Sequence, residues 1–543
     1  MRTMRREWLF FGLVGAFALV YLAQYPASFA IADECEILSL AYAIEHGTVH
    51  PDRAGLVTWN YSMEFEAGGH RVIKYSPFHA ALLAPALGAG WQLAFLVTAA
   101  FYILGAFVVR SMLVGEGVAS EWAILYFLLP GMLYYSGTLM AAVPAAVMGL
   151  SGVALLARRR PRVALGAAAL GGAVLLHLWM AALAVPFAVM WWLECGGENR
   201  WRIAAALAAG AAPAIAMAAA YNYATVGSPV VTGYMITGEV FAFSGQHLPR
   251  FLPFYAISLA VFPIAGLSVL SPRWSRGWAA PAAAFAIVAG ASMYNYRDGL
   301  TSNLPAMAGF IAGAVPAQRF LLPASVIACV PAARWLENRL GGAGFQWSAR
   351  ARVVALALFA AVFGAIATLH QGFLRANAIV QRAIASAVPE GAEIVGTGDV
   401  LKELAPVYRI VRFHAVDPGD ESVAGAADAY LVWIGAPGTK PPPYWTDGRK
   451  TESVQARSWA WNRDLWIAWP RTGAARPRPS AQAQSASITR SICIPSEPLT
   501  SSTSPGRTRS RTSGAASALS RAAEVSTAPS PPGLRIARSA ALI

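Results

Sequence analysis

The sequence predicts an all-α polytopic membrane domain of about eleven transmembrane helices, followed by a small C-terminal α/β domain outside the membrane and a disordered tail. Three observations carry this. Apolar residues make up 56% of the 543-residue chain and charged residues 13%, with a mean hydropathy of +0.47, far outside the range of ordinary soluble domains. The apolar residues gather into runs of bilayer length, separated by connections that carry arginine. Beyond residue 372 these runs stop, and the composition turns first to short β-branched segments and then to a stretch dominated by Ser, Ala, Pro and Arg.

A span needs roughly 17 to 25 predominantly apolar residues. The candidate segments, in order, are 9–31, 81–108, 122–137, 139–157, 163–178, 179–193, 203–222, 251–270, 279–295, 319–337 and 353–371. The run from Val163 to Leu193 is read as two short helices bent near His177, which keeps the alternation of charge between the two membrane faces. With Arg2, Arg5 and Arg6 inside, the inner connections carry Arg110, Arg158 to Arg160, Arg162, Arg200, Arg202, Arg273, Arg276, Arg339, Arg350 and Arg352. The short outer loops carry only Arg250, Arg297 and Arg319. This positive-inside pattern defines a transmembrane domain over 1–372 and puts both its first loop, 32–77, and everything after the last span on the outer face. In a Gram-negative cell that is the periplasmic face of the inner membrane. Ser28-Phe29-Ala30 faintly resembles a signal-peptidase site, but the apolar segment from Trp8 exceeds a usual signal core, so a retained anchor is expected.

Residues 373–471 read as the small outer α/β domain, with Ala392–Gly396 and Ala429–Ile434 as buried strands and Val400–Ala405 as a helix between them. Trp445, Trp459, Trp461, Trp466 and Trp469 are read as core and interface packing, a carbohydrate platform being the alternative. From Thr472 to Ile543 nine arginines and two glutamates give +7, half of the net charge of +14. That tail has no Phe, Tyr or Trp and cannot bury enough apolar surface to offset its ordering entropy, so residues 472–543 are expected to be disordered. The remaining positive excess flanks spans, which removes the case for a nucleic-acid partner. Cys35, Cys195, Cys329 and Cys493 are isolated, indicating neither a disulfide framework nor a zinc ribbon.

The first outer loop holds the chemistry. Asp33, Glu34 and Glu36 follow the first span directly, and Lys74-Tyr75-Ser76-Pro77-Phe78-His79 leads into the next. Carboxylates at one membrane edge and a lysine at the other suit a charged lipid, whereas a transporter core would bury its ionisable groups near mid-bilayer. Plainer readings stand beside these. Asp33 precedes a helical stretch, Ile37–Glu45, and suits a helix start; Lys74 and Arg319 suit snorkelling to headgroups. Tyr75, His79, Glu64 and Arg297 are candidate contacts to a sugar or phosphate, with solvated-loop or headgroup contact as the plainer account. His46 and His50 stand at helical spacing, but Gly47 and Pro51 break the helix a metal pair would need.

Together these strings resemble the first outer loop of the GT-C superfamily, integral membrane glycosyltransferases that include protein O-mannosyltransferases and the lipid A aminoarabinose transferase. The carriers are Asp33-Glu34 after the first span, the helical segment ending near Gly47, and the Lys-Tyr-Ser-Pro string. Further on, Tyr221–Tyr234 (YNYATVGSPVVTGY) resembles an outer-loop motif of bacterial members, and Gln318–Pro323 (QRFLLP) resembles the entry to a late span. The likeness covers roughly residues 1–471 and leaves the tail without a counterpart. It implies a GT-C-like fold and a polyprenyl phosphate-linked sugar as donor, with membrane lipids around it. It implies Asp33 as catalytic base or acceptor-positioning group with Glu34 beside it, and Lys74 and Arg319 as ligands of the donor phosphate. The chemistry agrees: inverting transfer needs a base for the acceptor proton, and a leaving phosphate needs cations against its growing charge. The acceptor stays open between lipid, glycan and protein. Two departures count against a divalent metal, and the cofactor stays unknown: Met140–Pro144 is apolar where relatives carry polar groups, and Ile73 stands where aminoarabinose transferases carry a glutamate.

Two rival readings remain. A transporter or flippase of a lipid-linked sugar would favour inverted repeats and broken helices with polar groups at mid-bilayer. A non-enzymatic membrane assembly protein would leave Asp33 and Lys74 without a task.

Overall fold

The computed structural model describes residues 4–24, 29, 32–54, 64–157, 161–194, 200–237, 319, 322–340, 347–389, 392–397, 412–415, 421–426, 428–435, 437–457 and 462–471. The candidate spans 251–270 and 279–295, Arg297, the expected helix 400–405, Trp459, Trp461 and the tail lie outside them. Every other candidate span falls on helix.

Helix α1 (Met4–Ala23) is followed in the loop 32–77 by α2 (Ala32–Glu45), which begins five residues earlier than the expected Ile37. Asp33 and Glu34 therefore occupy its first turn, where negative charge is favoured by the exposed N–H groups and the helix dipole. A 3₁₀ turn (Pro51–Ala54) and a two-stranded antiparallel hairpin, β1 (Glu64–Ala67) and β2 (His70–Ile73), complete the described part of the loop. Helix α3 (Pro77–Leu87) starts where its sequence dictates: Ser76 accepts the Phe78 N–H at 3.5 Å and Pro77 takes the first turn.

Two segments read as single spans are each broken. Within 81–108, α3 ends at Gly88 and Gly90 has φ +135°, so α4 (Ala94–Gly115) is a separate helix. Within 122–137, a short α5 (Ile124–Phe127) gives way to α6 (Pro130–Ser136), because Pro130 cannot continue a helix but can begin one. The bend at His177 is present: α7 (Ala142–Leu156) is followed by α8 (Val163–Leu176), His177 is extended, and α9 (Ala181–Glu194) follows a 3₁₀ turn. Helices α10 (Arg200–Val226), α11 (Gly233–Ile236), α12 (Leu322–Arg339) and α13 (Ala349–Ala387) complete the set. By length and composition, Trp91–Gly115, Arg200–Val226 and Ala349–Ala387 can each cross a membrane, and shorter apolar helices accompany them.

An aromatic stack joins the first, fourth and last helices: Phe17 lies 4.3 Å from Tyr102 and 5.1 Å from Phe363, centroid to centroid. At one end of the bundle, ion pairs join Arg110 to Glu7, Arg334 to Glu116 and Arg352 to Glu121. Helix α13 has 39 residues, about 58 Å at 1.5 Å per residue, well beyond a hydrocarbon core of about 30 Å. It runs unbroken through residue 372, so the expected domain boundary falls inside a helix. Its last turns use Val380, Ile384 and Val388 to cover Ile394, Val432, Leu465 and Ile467 of a five-stranded sheet.

That sheet has the order β4-β3-β5-β7-β6, from β3 (Glu393–Gly396), β4 (Arg412–Ala415), β5 (Tyr430–Gly435), β6 (Thr451–Arg457) and β7 (Asn462–Ala468). The first three pair in parallel and the last two antiparallel. Strands β3 and β5 coincide with the segments read from sequence. A short α14 (Pro443–Thr446) carries Trp445, which is fully buried with Trp433 against Leu431 and Val423. Trp469 is buried in the layer facing α13. Trp445 and Trp469 therefore serve as core packing.

Candidate active site

The first turn of α2 meets Arg319, three residues before α12. Arg319 Nη1 lies 3.3 Å from Asp33 Oδ2 across 286 positions of sequence, with the side chains 15% and 17% exposed. A pair this sheltered is less screened than a surface pair, and each partner sets where the other can point. Two residues singled out for different tasks, base and phosphate ligand, are thus in contact.

Glu34 faces inward. Its fully buried Oε1 accepts the Leu139 N–H at 2.7 Å, in the turn between α6 and α7. His79, on the first turn of α3 and likewise buried, donates from Nε2 to the Leu139 carbonyl at 2.6 Å. Both backbone groups of Leu139, its N–H and its C=O, are therefore held, the first by Glu34 and the second by His79. His79 Nδ1 has no hydrogen-bond partner among the described residues. The apolar stretch Met140–Pro144 begins directly after Leu139.

Lys74 is buried and follows directly on β2. Its backbone abuts Gly233: a Cβ added there would stand 2.6 Å from Lys74 Cα and 2.9 Å from Lys74 O. The ring of Tyr75 meets that of Tyr234 edge-on at 6.2 Å. The motif 221–234 is thus brought against the Lys74-Tyr75 string. Ser76 Oγ donates to the Leu175 carbonyl, tying the start of α3 to the end of α8. Two residues beyond, at the bend, His177 lies within electrostatic range of Arg319 and His79. His177 was legible in sequence only as a bend; an imidazole alone within a 31-residue apolar run was the available signal.

Glu64 opens β1, its side chain outside the described residues, and Arg297 lies outside them altogether. Among the described residues no three His, Cys, Asp or Glu side chains gather to hold a metal ion.

No family model and no curated protein matches the chain. Solved structures do. ArnT from Cupriavidus metallidurans bound to undecaprenyl phosphate matches with a TM-score of 0.51 at 14% identity, over 84% of this chain and 97% of that one. The same protein in the apo state matches at 0.46 and 13%, over 86% and 98%. The arabinofuranosyltransferase AftD from Mycobacteria matches at 0.43 and 15%, over 85% of this chain and 41% of that one. The match to lipid-bound ArnT is one of fold, and it shows that this chain shares the fold of that protein.

Proposed function

We propose that the chain is a glycosyltransferase that moves a sugar from a polyprenyl phosphate-linked donor to an acceptor on the outer face of the inner membrane, with inversion at the anomeric carbon. The observation that carries this is the meeting of Asp33 and Arg319 in a fold shared with a protein solved with undecaprenyl phosphate. Asp33 is the base. Arg319 engages Oδ2, and Oδ1 is the oxygen that takes the proton as the acceptor attacks. Lys74 and Arg319 bind the donor phosphate and stabilise the charge that grows on it as the glycosidic bond breaks. Arg319 has a planar fork that can hold carboxylate and phosphate oxygens together, so it can bridge base and leaving group. Glu34 acts through the Leu139 peptide and holds the floor of the site. The acceptor is a lipid, glycan or protein hydroxyl or amine.

A sugar-transfer assay on the purified full-length protein, run beside a titration with undecaprenyl phosphate, tests this. Asp33→Asn is expected to cut turnover by roughly 10² to 10⁴ while binding the lipid phosphate at least as well as wild type, because Arg319 loses its anionic partner. Lys74→Ala is expected to weaken both binding and turnover. Wild-type transfer by both folded variants would remove the loop from the active site, and a transporter would move lipid-linked sugar with no transfer at all.

A further inference from the structure

The first outer loop contains a second cluster of ionisable side chains. Asp52 accepts the Arg71 N–H through Oδ1 at 3.2 Å and the His70 Nδ1–H through Oδ2 at 3.1 Å. Arg53 Nε donates to His70 Nε2 at 3.2 Å, so a neutral ring protonated at Nδ1 satisfies all three groups. His50, buried, donates from Nδ1 to the Arg71 carbonyl at 3.2 Å, and its ring lies 5.0 Å from that of His70. Both backbone groups of Arg71 are thereby held by side chains from residues 50–52. The cluster is not arranged for a metal ion, because the Arg53 cation sits against the ring nitrogen a metal would need.

Arg71 is the second residue of β2, and Lys74 comes immediately after that strand. Between them Val72 and Ile73 are fully buried, so a shift at Arg71 has no loose residue in which to dissipate. Beyond Lys74, Ser76 is tied to the end of α8 and Gly233 presses on the lysine backbone. We infer that His50, Asp52 and His70 are positioning residues for Lys74: by pinning the backbone N–H and C=O of Arg71 they fix β2, and with it the backbone from which Lys74 reaches the donor phosphate. This rests on the phosphate-binding reading of Lys74 given above.

The test is a double-mutant cycle read by undecaprenyl phosphate titration of the full-length protein in detergent. Asp52→Ala is expected to weaken binding about three- to tenfold, and to raise KM more than it lowers kcat. In a Lys74→Ala background it is expected to add no further loss, since a residue acting through another has no effect once that other is gone. Asp52→Asn keeps an acceptor for the Arg71 N–H, and is expected to recover part of the affinity even where Asp52→Ala folds poorly. Wild-type binding by both Asp52 variants, or an undiminished loss in the Lys74→Ala background, would overturn the positioning role alone. Wild-type binding by Lys74→Ala would instead overturn the phosphate-binding reading, and the positioning role with it.

Discussion

Glu34 and His79 hold the N–H and the C=O of one residue, Leu139, and this separates them from Asp33, which faces a cation. Leaving a buried N–H without its acceptor costs about 1–3 kcal/mol, so Glu34→Ala is expected to lower thermal stability and to loosen the turn at Leu139. Glu34→Gln keeps an acceptor oxygen and is expected to restore both stability and turnover, a rescue that a catalytic acid or base would not show. Comparing melting temperature and turnover of the two variants decides between the roles. Asp52 carries a different signature. Burial alone would raise its pKa, but hydrogen bonds from His70 and the Arg71 amide outweigh burial and bring it below the ordinary carboxylate value. A carboxyl whose folded pKa is depressed contributes stability above its unfolded pKa and loses it as pH falls through the folded value. Hydrogen-exchange protection of β2 is therefore expected to hold from neutral pH down to about 4 and to fall below that, and Asp52→Asn is expected to remove the step. At this scale the sequence made Asp33, Lys74 and Arg319 visible, because ionisable groups at span edges stand out. The Leu139 grip was hidden, since its acceptor and donor are backbone atoms that any residue supplies.

Elements explain why the loop motif and the string 221–234 belong together. Gly233 begins α11 after Thr232, whose hydroxyl accepts the Met235 N–H at 3.4 Å, and the space its missing side chain leaves is filled by the Lys74 backbone. A methyl group at that position meets backbone, which cannot rotate away. Gly233→Ala is expected to displace Lys74 and cost about tenfold or more in turnover, with a smaller effect on melting temperature. Turnover equal to wild type would show that the Lys74 backbone is not constrained there. Hydropathy alone read 81–108 and 122–137 as single spans because Gly and Pro inside an apolar run change its mean very little. The helix that carries the last span, 353–371, is longer than that span. His370, Gln371 and Asn377 look like the polar margin of a membrane helix, yet α13 continues through them. Gln371 Nε2 donates to the Gln24 carbonyl at 2.5 Å and Asn377 Nδ2 to the Phe29 carbonyl at 2.7 Å. Gln371 and Asn377 thus satisfy the carbonyls of Gln24 and Phe29, a task that only the folded arrangement reveals.

For the molecule as a whole, the charged ends of the helices set the direction in which the site faces. Arg110 near the end of α4, Arg334 near the end of α12 and Arg352 at the start of α13 gather with Glu7, Glu116 and Glu121 at one end of the bundle. Arg319 stands before the opposite end of α12, and α2 and α3 open at that same end with Asp33 and His79. Orientation follows the distribution of Lys and Arg and is little affected by acidic residues, so pairing with glutamates does not cancel the signal. The arginine-rich end is therefore expected inside and the Asp33–Arg319 pair outside. The length of α13 is expected to carry the same direction into the sheet, since a helix about 58 Å long exceeds a hydrocarbon core of about 30 Å by several turns. A reporter active only after export is expected to work when fused after Arg471, where the last strand has ended, and to fail when fused after Arg162 at the start of α8. Cytoplasmic behaviour at Arg471 would place the sheet and the paired Asp33 and Arg319 on the side from which no outer-face acceptor can be reached, and the proposed reaction would have to be given up.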